Sequence, residues 1–294
     1  MRFASFALFC GIAFLPLLAR ADEKLAWNVK PANGGPSLLI IGSVAFLGVE
    51  NYPLPDYVQS AYAQSGTLLF ESNFGELDKP EFGEKINAAM LLPEGKTLAS
   101  ESSSTFRKAL FDRCDELKID AGGLKLQSLQ PWGAALRIFF AANAKIGVEG
   151  RYAADRAIYT MAAVDGKPVM GLDSADRVLE MVTEWPIGSP KEEFGLQLMT
   201  EQTIVSQNLT ELRAAWKRGD LTYLEPSLAR SYAKFPNLRQ RLITGRAKDW
   251  AERLAHGNPL PPKTLGVLPL VYLIGDDGLL AQLTAAGCQV QRVK

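Results

Sequence analysis

The residue types best suited to acid–base and metal chemistry are scarce in this sequence. Its 294 residues contain one histidine, His256, and three cysteines. Imidazole serves hydrolytic triads and zinc sites because its pKa lies near neutrality and its nitrogen is a good ligand. A single histidine excludes a multi-histidine metal centre. His256 precedes Gly257 and Pro259, a pattern that predicts the C-terminus of a helix and a structural role.

The overall composition is that of an ordinary globular protein. Lysine and arginine number 32, aspartate and glutamate number 32, and 47% of the residues are hydrophobic. These values exclude a disordered, collagen-like or disulfide-scaffold protein. The zero formal net charge, without a cluster of lysines and arginines, gives no reason to expect nucleic-acid binding.

The first 21 residues have the three-part form of a secretory signal peptide. Arg2 is followed by an apolar run over residues 3–18, and Ala19-Arg20-Ala21 places small residues at the cleavage positions. The run is short for a membrane span, and no later segment reaches about 18 apolar residues. We therefore predict a mature chain that begins at Asp22, has no membrane span and is periplasmic or secreted.

Two cysteines, Cys114 and Cys288, remain after removal of this leader, which contains Cys10. An oxidising compartment permits a disulfide, and an even number of cysteines is consistent with one. We predict a disulfide between Cys114 and Cys288, although the sequence does not show that they lie within bonding distance.

The two ends of the mature chain have the same arrangement of elements. Residues 37–75 predict a strand, a turn, a helix ended by glycine and a second strand. Residues 263–294 repeat this order, with a strand over residues 265–274, a helix after Gly278 and an alternating strand over residues 288–293. This layout suggests an internal duplication whose halves pair into one central mixed sheet.

The middle of the chain, residues 80–257, is mainly helical. Helices are predicted over residues 106–117, 132–144 and 238–254, and Asp220 is predicted to cap a further helix. Aromatic and aliphatic stripes on such helices are usually core. The sequence thus predicts an α/β (α+β) fold in which a helical insertion separates two α/β halves of a single domain, residues 22–294.

A series of short segments occurs in a recognisable order along this chain. They are Ser37–Gly48, Tyr52–Pro55, Leu68–Glu71, Leu129–Trp132, Ala154–Arg156, Gly166–Asp173, Ala215–Leu221, Leu273–Leu280 and Gly287–Val290. Together they resemble the TraB/GumN family, which is related to the Tiki metalloproteases and the ChaN-like proteins. The resemblance covers essentially the whole mature chain.

This resemblance implies a metal-dependent hydrolase site with two Gly-x-x-His motifs, a glutamate and an Arg-Asn pair. The first motif corresponds to Gly42-Ser43-Val44-Ala45 and has Ala45 at the histidine position. The second corresponds to residues 269–272, which have neither the glycine nor the histidine and end at Tyr272. The Arg-Asn pair corresponds to Arg246 and Ala247.

Three polar residues of the family pattern remain, and they are the catalytic candidates: Glu71, Arg246 and Asp155. Alanine offers no lone pair, and a neutral phenol is a poor substitute for imidazole toward a divalent ion. Glu71 alone does not make a three-ligand catalytic centre. We therefore expect no metal and no cofactor, a leftover Glu71–Arg246 ion pair, and Asp155 as the N-cap of the following helix.

Three functions are consistent with these residues. The first is an exported pseudoenzyme that binds a peptide, protein or cell-envelope component through the former catalytic cleft. The second is an active hydrolase that uses Glu71 and other carboxylates, with or without a hard divalent ion such as Mg²⁺. The third is an interaction subunit whose cleft is vestigial and filled by Tyr272.

Overall fold

The computed structural model describes residues 24–185 and 190–294. Its strands are β1 Ala26–Lys30, β2 Leu38–Ser43, β3 Thr67–Ser72, β4 Val169–Asp173, β5 Thr264–Pro269 and β6 Gln289–Arg292. Its helices are α1 Asp56–Gln64, α2 Phe74–Leu77, α3 Pro80–Met90, α4 Leu98–Glu101, α5 Ser104–Leu117, α6 Pro131–Lys145, α7 Ala154–Asp165, α8 Ala175–Thr183, α9 Pro190–Arg218, α10 Leu221–Ala229, α11 Pro236–Arg239, α12 Gly245–His256, α13 Leu270–Leu273 and α14 Leu279–Ala285.

The strands form one mixed sheet in the order β4-β3-β5-β2-β1-β6. The four strands β4, β3, β5 and β2 are parallel neighbours, while β1 is antiparallel to both β2 and β6. The central strands are almost continuously apolar because helices cover both faces of a parallel sheet. The α/β fold with helices around a mixed sheet is therefore confirmed.

The two predicted halves share this sheet. The first half supplies β2, α1 and β3, and the second supplies β5, α14 and β6. Strand β5 lies between β2 and β3, so the halves interleave. Strand β6 pairs with β1 at the far edge and is separated from β5 by two strands.

The predicted strand over residues 265–274 is too long. Strand β5 ends at Pro269, and residues 270–273 form the short helix α13. Pro269 has no N–H to donate to a further sheet bond, and it is the residue that caps α13. This change of direction carries Tyr272 away from the plane of the sheet.

The middle of the chain, residues 80–257, is mainly helical, with two differences from the prediction: it supplies the edge strand β4, and one predicted helix is divided. Helices α5 and α6 match the predictions within two residues, and the Asp220 side chain caps α10 by accepting a hydrogen bond from the Tyr223 N–H. The helix predicted over residues 238–254 is instead α11, a π-helical segment at Gln240–Thr244, and α12. Helix α12 ends at His256 as expected.

The predicted disulfide is wrong. Cys114 and Cys288 are both unbonded. Cys114 packs in the apolar cluster of the helical middle, with Leu110 and Leu198, whereas Cys288 packs in the cluster around the central sheet. Each thiol serves as a small buried apolar group in a different part of the core.

The predicted signal peptide, residues 1–21, lies outside the described residues. Within residues 24–185 and 190–294, no helix is both long enough and apolar enough to cross a membrane.

Candidate active site

The carboxyl ends of the parallel strands bring the polar candidates to one edge of the sheet. Ser43 at the end of β2 is in register with Pro269 of β5, and Ser72 of β3 is in register with Asp173 of β4. Glu71 precedes Ser72 on β3. Ligands of open α/β sheets bind outside the carboxyl ends of the strands, so this edge is the natural position for a functional site.

Arg246 is the centre of the polar network at this edge. It lies in the first turn of α12, directly after the π-helical segment, and is 8% exposed. Its Nε and Nη2 each lie 2.8 Å from Oδ2 of Asp173, and its Nη1 donates to the Tyr272 hydroxyl. Burial disfavours the charged form, but Glu71 and Asp173 outweigh it, so the pKa of Arg246 stays above its ordinary value.

Aromatic rings enclose the same guanidinium. The Cζ atom of Arg246 lies 4.7 Å from the ring centroids of both Trp250 and Tyr272, within the range of cation–π attraction. Trp250 also donates from Nε1 to the other oxygen of Asp173, at 3.0 Å. Arg246 is thus held by charge, by hydrogen bonds and by stacking.

Glu71 is a weaker partner of Arg246 than the sequence predicted. The distance from Oε2 to Nη2 of Arg246 is 3.7 Å, and this buried oxygen has no hydrogen-bond partner. Burial raises the pKa of Glu71 and Arg246 lowers it, while the negative charge of Asp173 raises it; the net shift is upward. The predicted ion pair exists, but Asp173 takes the better geometry.

Asp155 lies beside this network but is not the N-cap of its helix. The cap position of α7 is Ala153, and Asp155 is in the first turn. Its Oδ1 accepts the Arg156 N–H at 2.7 Å, and its Oδ2 accepts the Ser43 hydroxyl at 3.3 Å. Burial and the charge of Glu71 raise the pKa of Asp155 to about 6. The N-cap prediction is therefore wrong, although the carboxylate still serves a free N–H of the first turn.

A cavity of about 310 Å³ opens above these residues. It lies between the sheet edge and the helices α9 and α10. The residues that line it are Ser43, Val44, Ala45, Phe46, Glu71, Glu201, Ile204, Val205, Leu212, Ser227, Leu228, Ser231, Tyr232, Ile243, Pro269, Leu270, Val271 and Tyr272. Most of this surface is apolar, with a few polar groups, as is usual for ligand sites.

Hydrogen bonds between residues far apart in sequence hold α9 beside this cavity. Trp216 is fully buried and donates from Nε1 to the Gly42 carbonyl at 3.0 Å. Arg213 donates from Nε to the Phe46 carbonyl at 2.8 Å. Both bonds connect α9 to the end of β2 and the loop that follows it, so the segment with Ala45 has a fixed position.

The degenerate motif positions separate into two groups. Ala45 and Tyr272 line the same cavity, as expected for two corresponding positions of the halves. Ala247 is fully buried in the core, and Gly42 lies under Leu270, whose Cδ1 would be 2.7 Å from a Cβ at this position. Tyr272 fills only part of the space beside Ala45.

Sequence reasoning missed Asp173 and Glu201 as site residues. Asp173 was visible as the acidic end of a short apolar strand, but its role depends on β4 pairing beside β3. Glu201 is one acidic residue on a long amphipathic helix, and only its hydrogen bond from Gln197 on the preceding turn, at 2.9 Å, marks it as inward-facing. His256, by contrast, is half exposed and 4.0 Å from Glu252.

A family model matches nearly the whole of this chain. The family model described as TraB/PrgY/gumN matches residues 25–292. The chain belongs to the TraB/PrgY/gumN family. A comparison with curated proteins gave no match, and a comparison with solved structures gave none.

The TraB/GumN resemblance implies a metal ion, and the residues of this family member do not fit one. Ala45 has no donor atom, and the Tyr272 hydroxyl already accepts a hydrogen bond from Arg246. Glu71 stands next to the fixed positive charge of Arg246, which repels a divalent cation. Across the described residues, no group of three or more histidine, cysteine, aspartate or glutamate side chains is arranged to hold a metal.

Proposed function

We propose that this protein is an exported, catalytically inactive member of the TraB/PrgY/gumN family that binds a peptide, protein or cell-envelope component in the cavity at the sheet edge. The observation that carries the proposal is the position of Arg246. Its guanidinium stands 3.7 Å from Glu71, the carboxylate that the resemblance would give to a metal. Without a metal or an imidazole, an attacking water lacks activation at this site.

The cavity supports a binding function for the same site. Its volume of about 310 Å³ lies at the lower end of the range for small-molecule sites, which begins at about 300 Å³. It is large enough for one or two side chains of a ligand. Tyr272 lines the wall without filling the space, which favours a binding cleft over a vestigial one.

A peptide-retention experiment tests this proposal. A tryptic digest of periplasmic proteins is incubated with the immobilised protein, and retained peptides are identified by mass. We expect a retained set with unchanged masses. Ala45→Phe, which places a ring at the cavity, should lose that set. Ala63→Phe on the exposed face of α1 is the matched control and should keep it. Equal retention by both variants would refute binding in this cavity.

One observation favours the hydrolase alternative. Asp155, with a pKa of about 6, lies near Glu71, and two carboxyl groups in different environments suit acid–base chemistry. The same digest distinguishes the two functions, because new peptide masses that accumulate with time and disappear in Asp155→Asn would establish hydrolysis. Their absence supports the binding function.

Export is a separate part of the proposal. It rests on the residue pattern of 1–21, from Arg2 through the apolar run to Ala21. N-terminal sequencing of protein from the periplasmic fraction should give Asp22 as the first residue. A chain that begins at Met1 and stays with the cytoplasmic fraction would contradict export without affecting the proposed binding.

A further inference from the structure

The cavity has charge of one sign only. Among the described residues that line it, the charged ones are Glu71 and Glu201, and none is cationic. The two glutamates come from opposite walls, Glu71 from β3 and Glu201 from α9. Tyr272 lines the same cavity; burial raises the pKa of its phenol, and the negative charges of Glu71 and Glu201 raise it further.

The two carboxylates differ in the charge near them. Glu71 has the guanidinium of Arg246 at 3.7 Å, and its Oε2 is closed to solvent. Glu201 accepts one bond, from the neutral Gln197 amide at 2.9 Å, and burial raises its pKa. A buried carboxylate with few donors is costly, so a ligand that supplies N–H groups and positive charge would stabilise Glu201.

The protein itself supplies little positive charge to this space. Arg246 gives its short contacts to Asp173 rather than to Glu71. Arg253, at 3.6 Å, also faces Asp173. The guanidinium of Arg156 is paired with Asp78 at the surface. In the described part of the chain, none of these three arginines forms an ion pair with Glu201.

The rest of the lining is aliphatic. Ile204 and Val205 on α9, Ile243 on the π-helical segment and Leu270 on α13 form most of the opposing walls. A ligand that fills this space must combine an apolar body with a cationic group that pairs with Glu201.

We propose that the cavity binds a protonated primary amine carried on an apolar chain, with the ammonium group paired to the carboxylate of Glu201. The N-terminus of a peptide with an apolar first residue and the side chain of a lysine both have this chemistry. The inference rests on the proposed function of the cavity as a ligand site and adds the class of ligand.

Three small probes test it by calorimetry or saturation-transfer NMR. They are L-leucinamide, a peptide N-terminus with an apolar side chain; N-acetyl-L-lysinamide, a side-chain amine; and N-acetyl-L-leucinamide, which is neutral. At about pH 6.5 most of the α-amino groups carry a proton. At least one amine should bind about tenfold more tightly than the neutral compound, the effect of one charge-assisted hydrogen bond. The amine that binds more tightly shows whether the cavity recognises a peptide N-terminus or a lysine side chain.

Matched variants locate the effect. Glu201→Gln should reduce amine affinity about tenfold and leave binding of the neutral probe unchanged. Glu211→Gln, an exposed position of the same helix, should change neither. Thermal unfolding confirms that each variant is folded, and Glu201→Gln should not be destabilised because it removes a buried carboxylate.

Three results would overturn the inference. Equal affinity of both amines and of N-acetyl-L-leucinamide would exclude recognition of the amine. Retention of peptides that is lost in Ala45→Phe would still leave the proposed binding function intact. Failure of both amines to bind would also overturn it. Amine binding unaffected by Glu201→Gln would place the amine elsewhere on the protein.

Discussion

The guanidinium of Arg246 contacts Asp173 from two nitrogens, each 2.8 Å from the same carboxylate oxygen. Asp173 ends β4 and Arg246 begins α12, so this pair joins the sheet to the helix that follows the π-helical segment. It also directs Arg246 toward the acidic edge of the cavity, where its charge opposes a metal at Glu71. The same contact that joins the sheet to α12 therefore supports the proposal that this site binds no metal.

Arg246→Met should destabilise the fold strongly. Both partners of the Arg246–Asp173 pair are more than nine-tenths buried, and the substitution leaves Oδ2 of Asp173 without its two donors, with only Trp250 and the more distant Arg253 at the other oxygen. Loss of one partner of a buried pair costs about 3–5 kcal/mol. Urea denaturation measures the change. Arg151→Met, which breaks an exposed pair with Glu149, is the control and should cost less than about 1 kcal/mol. Similar losses in both variants would show that the Asp173 pair is not a structural centre.

Asp155 should make the protein less stable as the pH rises from about 4 to about 6. Its pKa of about 6 in the fold lies above the ordinary value of 3.8, so the folded state holds the proton more tightly than the unfolded chain. The free energy of unfolding therefore falls as this proton is lost, by about 2–3 kcal/mol across the window.

Asp155→Asn tests this dependence by chemical denaturation at several pH values. The variant keeps an oxygen that accepts from the Arg156 N–H and should show a flatter profile than the unmodified protein between about pH 4 and 6. Asp56→Asn, an exposed position in the first turn of α1, should keep the original slope. Profiles of equal slope in the Asp155→Asn and unmodified proteins would contradict the raised pKa.

Gly42→Ala should disturb the end of β2 through one neighbour. A Cβ at this position would lie 2.7 Å from Cδ1 of Leu270, which is almost fully buried. Overpacking of this kind costs about 1–3 kcal/mol. In a Leu270→Ala background, the same substitution should cost less than about 0.5 kcal/mol. A double-mutant cycle by urea denaturation measures the coupling, and additive costs would contradict the contact.

Cys114 and Cys288 should titrate as two free thiols. Their side chains are 1% and 5% exposed, and neither is bonded. A thiol reagent should therefore react slowly with the folded protein and should modify two groups per chain in denaturant without reductant. Three groups would show that the segment with Cys10 is retained. No reaction before addition of a reductant would establish the disulfide.

Local patterns in the sequence were sufficient for most of the elements of this fold. The helices predicted over residues 106–117 and 132–144 and the Asp220 cap each depend on residues within a few positions of each other. The interleaving of β5 between β2 and β3 could not be predicted in this way, because it depends on pairing between distant residues, such as Thr67 with Thr264 and Leu39 with Leu265, which are 197 and 226 positions apart.

The site residues also divide into those that the sequence identified and those that depend on long-range packing. Glu71, Ala45 and Tyr272 were identified from motif positions and do meet at one cavity. The dominant partner of Arg246 was missed because Asp173 lies on a strand whose neighbour is set by long-range packing. Glu201 was missed because its environment, and not its neighbours in sequence, distinguishes it from the exposed acids of α9.

Metal content measured together with peptidase activity tests the central claim most directly. Protein purified from the periplasmic fraction without chelator is analysed for Mn²⁺, Co²⁺ and Zn²⁺ and assayed on a broad peptide mixture. Ala45 and Tyr272 supply no imidazole, and Arg246 repels a cation at Glu71, so far less than one equivalent of any of these metals and no cleavage are expected. Near one equivalent of metal, removed by a chelator with loss of peptidase activity, would contradict the account.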